Sequence, residues 1–530
     1  MVPTIQQQMI FDFIGGSRKF RDTETGNISV DAVAGSGKTT TAVCSIPYAA
    51  KRFGRIGFTA FSKEIATTLQ AKVGGQCSAG TMHSMGLRMV TERFGKLPLE
   101  DWKYLEICKR EFPSWHEKGK RGFPRLKNEY ASFNALARVV REQNVSIQTV
   151  TDDLVKTISW VAESQGISLP RKDIIPELIG GVFRCLEIGS DNPSTIDFCD
   201  MIWLPVHLGL GHNVYDLMYA DEAQDFNPLQ QQWMLNIAPT KVIIGDPFQS
   251  IMGFAGADSN SFKNMTRWLQ ARQLPLSVCW RCPSSHLELA RYLVPHIEAS
   301  PSAIEGEIKM VETGEVIRNA QAKDMILCRA NAPLVGTAYN LLQSGKKCIV
   351  RGKAIGQGIV GLVERLDPST MSELNIKLGR WKEFEVSKLL DRDAKQEAFD
   401  VLYDQVDCIL EMSKNYDTPS DFIRGAKELF ADDKETRPDQ VILSSVHRSK
   451  GLECDNVTII QPSKLGAWGD DEESYQQEKN LLYVALTRSK KTLSFCGSTG
   501  VEGGLHSWVH KIASQKIAPP RRKGFYSNVQ

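Results

Sequence analysis

The sequence predicts an α/β protein built on two parallel sheets flanked by helices, each sheet interrupted by a mostly helical inserted subdomain. Three observations predict it. Short apolar, β-branched runs alternate with helix-like segments in the first half of the chain, and the same rhythm returns in the second. The run "NISVDAV" (27–33) feeds directly into a glycine loop that opens a helix-like segment. Two stretches poor in strand signals, 89–195 and 353–436, interrupt the two halves.

The elements follow in order. "NISVDAV" reads as a strand and "KTTTAVCSIPYAAKRF" (38–53) as a helix despite Pro47. Further strands are expected at "RIGFTAFS" (55–62), "VYDLMYADEAQD" (214–225) and "KVIIGD" (241–246). In the second half they are expected at "DMILCRAN" (324–331), "KKCIVRG" (346–352), "QVILSSVH" (440–447), "NVTIIQP" (456–462) and "TLSFCGS" (492–498). No internal repeat or low-complexity linker stands out.

Composition sets bounds on function. At 530 residues, 42% hydrophobic and 24% charged, the chain has room for several packed domains. No stretch approaches the ~18 to 20 uncharged apolar residues of a membrane span, and the N-terminus lacks signal-peptide order. The expected location is cytoplasmic, or the host-cell cytoplasm if the chain is viral. A net charge of +2 does not announce a nucleic-acid binder, although a basic groove can be balanced elsewhere. The basic tail 516–530 reads as a solvated end. Twelve scattered cysteines fit reduced thiols. The one close pair, Cys279 and Cys282 in "CWRC", has no second CxxC or HxxxH at zinc spacing and reads as inert rather than as half a zinc site or a redox pair.

The chemistry concentrates in a few motifs. In "AVAGSGKTT", Ala34, Gly35, Ser36, Gly37 and Thr40 belong to a loop whose backbone N–H groups would close around phosphates at a helix N-terminus. Lys38 would reach the β/γ oxygens and Thr39 would ligate Mg²⁺. "LMYADEAQD" delivers Asp221 and Glu222 to the C-terminal edge of a strand, Asp221 to hold Mg²⁺ through water and Glu222 to orient or deprotonate the attacking water. "IIGDPFQSIMGFAGA" places Gln249 to sense the γ-phosphate or its water, and Phe254 to offer a stacking face to a base or to fill the core. The second half contributes arginines instead of a second phosphate loop: Arg281 beside Trp280, and Arg488 after an apolar helix-like run. An arginine from a second domain can stabilise charge on the transferred phosphoryl group. "SSVHRSKGLECDNV" sets His447 at a strand tip, a ligand-facing or core histidine, with Glu453 beyond.

Taken in order, these segments resemble the superfamily 1 helicases of the UvrD/Rep type, from about Thr4 to about Leu493. "TIQQQ" looks like the adenine-reading glutamine motif, with Gln7 the match. "AVAGSGKT" is similar to motif I, "FTAFSKEIA" to motif Ia and "GTMHSMGLR" to motif Ib. "DEAQD" resembles motif II, "GDPFQSIMGFAGA" motif III, "WRCP" motif IV and "ILCRAN" motif IVa. "VHRSKGLECD" resembles motif V and "NLLYVALTRSK" motif VI. The wording "AFSK" and "NLLYVA" is nearest to the F-box DNA helicase subgroup, although no F-box is apparent.

The resemblance implies two RecA-like P-loop NTPase domains with ATP and Mg²⁺ between them. Residues 1–88 with 196–275 would form the ATP-binding domain and 89–195 its helical insertion. Residues 276–352 with 437–515 would form the second domain and 353–436 its insertion. It implies that Gln7 reads adenine, Trp280 stacks on it and Glu453 lies by the ribose. Gln249, Arg281 and Arg488 would sense or stabilise the γ-phosphate. Phe61, Lys63, Thr81, His83, Phe254 and His447 would line the single strand. Three departures bear on this. Met252 and Ala255 stand where motif III usually carries tyrosine and arginine, Ala60 precedes Phe61 where motif Ia often begins with an aromatic, and the second insertion is short.

The implied activity is ATP-dependent translocation 3′ to 5′ on single-stranded DNA with unwinding of the duplex, in replication, repair or recombination. Single-stranded DNA and its duplex junctions would be the partners, with no membrane, and the chain acting as a monomer. Two readings stand beside it: a translocase that strips bound proteins with little unwinding, and a nucleotide-gated binding scaffold. RNA stays open as the track, since no residue visibly reads a 2′-hydroxyl.

Overall fold

The computed structural model describes residues 3–17, 26–60, 63–115, 126–147, 149–165, 167, 169–170, 172–251, 260–392, 394, 396–431, 437–466 and 472–514. The chain divides into two compact units, residues 1–277 with 385–394, and residues 278–384 with 395–530.

The first unit is organised on a six-stranded sheet of β1 (Ile28–Ala32), β2 (Ile56–Thr59), β3 (Ser78–Gly80), β4 (Leu217–Ala220), β5 (Thr240–Gly245) and β6 (Arg272–Leu276), in the order β3-β2-β4-β5-β1-β6. Every pairing is parallel. A parallel sheet needs helices on both faces, and the alternation along its strands supplies them. Leu217 and Tyr219 of β4 join a core with Ile10, Ile46 and Leu69 from the helices Ile5–Ile14, Lys38–Ala49 and Lys63–Val73. Met218 and Ala220 face the other way, into a core that runs on through the helical insertion as far as Phe133, Val182 and Leu186.

The insertion is helical as expected, with Met82–Phe94, Lys103–Glu111, Leu126–Glu142, Asp152–Ser164 and Ile175–Asp191. At its base Arg141 is fully buried, bidentate to Asp197 (2.6 Å twice) and 2.7 Å from Asp200. Asp200 also accepts from Lys103 Nζ at 2.6 Å and from the Tyr104 hydroxyl at 2.7 Å. Buried charges of both signs, mutually hydrogen-bonded, fix the place where the chain leaves the insertion and returns to the sheet.

The second unit holds β7 (Val278–Cys279) and β8 (Glu298–Ala299), a two-stranded pair. Its main sheet comprises β9 (Glu307–Val311), β10 (Met325–Cys328), β11 (Cys348–Arg351), β12 (Phe430–Ala431), β13 (Val441–Ser445), β14 (Cys454–Ile460) and β15 (Ser489–Cys496), ordered β12-β11-β13-β10-β14-β15-β9 and parallel throughout. Between β11 and β12 lie four helices, Lys353–Leu366, Met371–Asp391, Gln396–Ser413 and Pro419–Leu429.

Candidate functional site

In an open parallel sheet, ligands meet the chain at the C-terminal ends of the strands, and in the first unit three such ends converge. β5 lies between β1 and β4, with Gly245 paired to Asp31 and Ile243 to Ala220. The loop after β1, the acids after β4 and the turn after β5 are therefore neighbours.

The loop after β1 has the backbone of a phosphate cradle. Gly35 and Gly37 take φ of +67° and +81°, where side chains are strained, and a Cβ at Gly37 would meet nothing within 4 Å. The helix Lys38–Ala49 starts at once, so its first-turn N–H groups point into the cradle. Ser36 Oγ is buried and without a hydrogen-bond partner, an orphan that a phosphate oxygen would satisfy. Thr40 is exposed and Ala34 buried.

Thr39 Oγ1 donates to Asp221 Oδ2 at 2.6 Å, joining the helix to the end of β4. Burial, and then the Glu222 carboxylate beside it, push the Asp221 carboxyl up to about 6, against the pull of Thr39 and Lys38. Lys38 acts likewise on Asp246, whose carboxyl burial raises. One ammonium thus faces two buried acids from neighbouring strands, an arrangement suited to exchange one of them for an anionic ligand and a divalent cation. Among the described residues no group of three or more His, Cys, Asp and Glu is placed to hold a metal. Thr39 and Asp221 would hold Mg²⁺ together with the phosphates.

Glu222 adopts φ +55° and ψ 39°, the left-handed region unusual for a side chain with Cβ. Gln224 Nε2 donates to Glu222 Oε2 at 2.5 Å, and Gln224 Oε1 accepts from the Asp246 backbone N–H at 3.0 Å. Asp246 Oδ2 accepts from Gln249 Nε2 at 2.6 Å. A hydrogen-bonded chain, buried from Gln224 onward, runs from Glu222 to Gln249, and Gly245 makes it fit, since a Cβ there would stand 2.6 Å from Gln224 Oε1. Gln224 and Asp246 carry no role in the sequence reading; the polar positions of "DEAQD" and "GD" at two strand tips are the signal that could have found them.

Gln7 is buried in a capping box, its carbonyl accepting from Thr4 N at 3.0 Å and its Nε2 donating to Thr41 Oγ1 at 3.0 Å. An amide has two lone pairs and two N–H groups, so one of each is left to meet a base edge.

On the DNA side of the reading, Lys63 is the exposed first residue of its helix, and Thr81 caps the helix Met82–Phe94 by accepting from Ser84 N at 3.2 Å. His83 stacks on Phe198 with ring centroids 4.0 Å apart, and burial lowers its imidazole to about 4, so it is neutral near pH 7. Phe198 is 56% exposed, an aromatic face that sequence reasoning missed. It lies between Asp197 and Asp200, the two acids held by Arg141. Phe61 and Phe254, like Met252 and Ala255, lie outside the described residues.

In the second unit Trp280 is half exposed, and Arg281 Nε pairs with Glu453 Oε2 at 2.5 Å. Arg488 is buried and donates to the carbonyls of Val484 (2.9 Å) and Leu452 (3.1 Å) and to Thr487 Oγ1 (3.1 Å). His447 opens a short 3-10 turn after β13; burial, with Arg329 and Arg448 near it, holds its imidazole well below the usual range.

Residues 17–270 match the UvrD/REP helicase N-terminal domain, and residues 362–498 match the UvrD-like helicase C-terminal domain. Among curated proteins the chain is similar to F-box DNA helicase protein 1 of Schizosaccharomyces pombe, at 28% identity over 319 residues, 53% of this chain and 33% of that protein. The match spans a third of that relative's length. Among solved structures, the crystal structure of arterivirus nonstructural protein 10 (helicase) is similar over 91% of this chain and 62% of that one, at 11% identity and a TM-score of 0.33, too loose a likeness to bear on fold or function.

Proposed function

The chain belongs to the UvrD/REP helicase family, and from that premise we propose that it is an ATP-dependent DNA helicase moving 3′ to 5′ on single-stranded DNA and unwinding duplex ahead of it. The observation that carries the reading is the junction of Thr39 with Asp221 at the mouth of a glycine loop, beside a lysine that faces two buried acids.

On this reading residues 1–88 with 196–275 form the nucleotide-binding domain and 276–352 with 437–515 its partner, with 89–195 and 353–436 as their insertions. The protein acts as a monomer in the cytoplasm; among the described residues no helix is long and apolar enough to cross a membrane. Gly35, Ser36, Gly37 and the helix N-terminus bind the phosphates, and Lys38 neutralises them. Thr39 and Asp221 hold Mg²⁺, which when bound supplies charge stabilisation at the phosphates. Glu222, held by Gln224, takes the proton of the attacking water, and Gln249 reports that event along the Asp246 link. Gln7 and Trp280 frame the adenine and Glu453 the ribose. Arg281 and Arg488 counter charge on the transferred phosphoryl group, which requires Arg281 to leave Glu453 and Arg488 to exchange its carbonyl partners.

Stacking on the exposed Phe198 face, backed by His83, supports the assignment of single strands as the track, at ~1 to 3 kcal/mol per stacked base. The test is unwinding of duplexes with a 3′ or a 5′ single-stranded tail. Unwinding from the 3′ tail alone is expected. Unwinding from the 5′ tail alone would overturn the direction, and DNA-stimulated hydrolysis without unwinding would favour a protein-stripping translocase.

A further inference from the structure

The motif "CWRC" has a placement that the nucleotide reading does not use. Cys279 ends β7, and Cys282 follows three residues later, before Pro283 and the helix Ser284–Ala290. Both are buried, at 0% and 2% exposure. The Cys282 backbone N–H donates to Cys279 Sγ at 3.4 Å, and the Cys282 thiol donates to the Thr487 carbonyl at 3.5 Å. The turn thus folds the Cys279 sulfur back against the Cys282 backbone, while the residues between them, Trp280 and Arg281, point to solvent and to Glu453.

We infer that Cys279 and Cys282 form a reversible redox modification site, a dithiol that a peroxide closes to a disulfide, and that closure slows ATP hydrolysis by reshaping the Trp280–Arg281 turn. The formation of the disulfide stands on the turn that holds the Cys279 sulfur against Cys282; its effect on hydrolysis rests on the function proposed above.

The two sulfurs have different tasks. The Cys282 thiol, the backbone N–H groups of Cys282 and Arg281, and the Arg281 charge together draw the Cys279 thiol down to about 7 against the effect of burial, whereas the Cys282 thiol is raised. Burial pushes Cys77, Cys199, Cys328 and Cys454 up. Cys279 is therefore the nucleophile and Cys282 the resolving thiol. The Cys279 thiolate attacks one peroxide oxygen; an S–O bond forms, the O–O bond breaks, and hydroxide leaves with a proton as water. The Cys282 sulfur then displaces the sulfenic oxygen, forming the S–S bond and releasing a second water. Two thiols lose two electrons and one peroxide gains them. The burial of both sulfurs selects a small peroxide over a bulky disulfide.

Closure removes the Cys279 thiolate from beside Arg281 and the Cys282 thiol from Thr487, the neighbour of Arg488, and it locks Trp280 and Arg281 inside a small ring. The test treats the full chain with hydrogen peroxide, removes the excess with catalase, and follows alkylatable thiols by peptide mass alongside ATP hydrolysis. The expected result is a Cys279–Cys282 disulfide and a several-fold fall in hydrolysis, both reversed by dithiothreitol. Cys282→Ser should form no disulfide and instead accumulate a sulfenic acid at residue 279 that a 1,3-diketone probe labels. Full alkylation of both cysteines after peroxide would overturn the site. A disulfide that leaves hydrolysis unchanged would overturn its effect on the turn. The mass readout needs no activity, so failure of the proposed function and failure of this inference are separable.

Discussion

Thr39 and Asp221, 182 residues apart in the chain, meet in a hydrogen bond of 2.6 Å that closes the end of β4 onto the first turn of the phosphate-loop helix. The bond orients a carboxylate that burial and Glu222 both disfavour, so its charge is held in reserve for a cation. The native carboxyl, raised from the usual 3.8 to about 6, binds more protons than the unfolded chain between those values. Stability is therefore lost as pH rises through that window.

Asp221→Asn keeps the hydrogen-bond acceptor and removes the charge. It should raise thermal stability at pH 7 by an amount on the order of 1 to 3 kcal/mol, with the gain fading toward pH 4, while Mg²⁺-dependent hydrolysis is lost. Calorimetry across pH 4 to 7 checks the slope; a gain that does not change with pH would contradict the assignment of the strain to this carboxylate.

Gln224 binds Glu222 with one end and Asp246 with the other. Gln224→Met preserves bulk and breaks both bonds. A fall of about 10²-fold in kcat, with KM for ATP changed far less, is the expected pattern for losing the orientation of a general base. Steady-state kinetics decides it: a rise in KM with kcat intact would assign Gln224 to nucleotide binding instead.

Phe198→Ala removes the exposed ring and leaves His83 bare. Single-strand affinity should fall by roughly 1 to 3 kcal/mol, about 5- to 150-fold, with Phe198→Tyr close to wild type. Fluorescence anisotropy with a labelled oligonucleotide reads this directly, and an unchanged affinity in the alanine variant would remove Phe198 from the track.

The strands that the sequence reading located, β1, β2, β4, β5, β10, β11, β13, β14 and β15, are all interior to their sheets, and each reads as an apolar run because both of its faces are covered. Those it missed in the main sheets, β3, β6, β9 and β12, are all edges. β6 reads "RQLPL" with Pro275, tolerable only where one side has no ladder partner, and β9 "EIKMV" is largely exposed. The glycine loop and the acids of β4 were legible because their chemistry is contiguous in sequence. The Gln224–Asp246 link, the stack of His83 on Phe198 and the bond of Gln7 to Thr41 were not, because each joins segments that only folding brings together. Cys279 and Cys282, read from spacing as inert, are joined by a bond from the Cys282 backbone N–H to the Cys279 sulfur, which spacing alone cannot express.

Arg141 stands between Asp197 and Asp200 with 1% exposure. Arg141→Met would leave the Asp197 carboxylate without its cation, with Lys103 alone remaining on Asp200, and a loss of about 3 to 5 kcal/mol is expected in chemical denaturation. A loss below about 1 kcal/mol would mean that the network is solvated rather than sealed.

On the proposed reading, Lys38 at the mouth of the glycine loop makes the chain a nucleic-acid-driven ATPase. ATP hydrolysis measured with and without single-stranded DNA, for the wild type and for Lys38→Ala, tests it most directly. Hydrolysis that single strands stimulate strongly, and that Lys38→Ala abolishes under both conditions, is the expected result. Hydrolysis that persists in Lys38→Ala, or that is indifferent to DNA in the wild type, would contradict it.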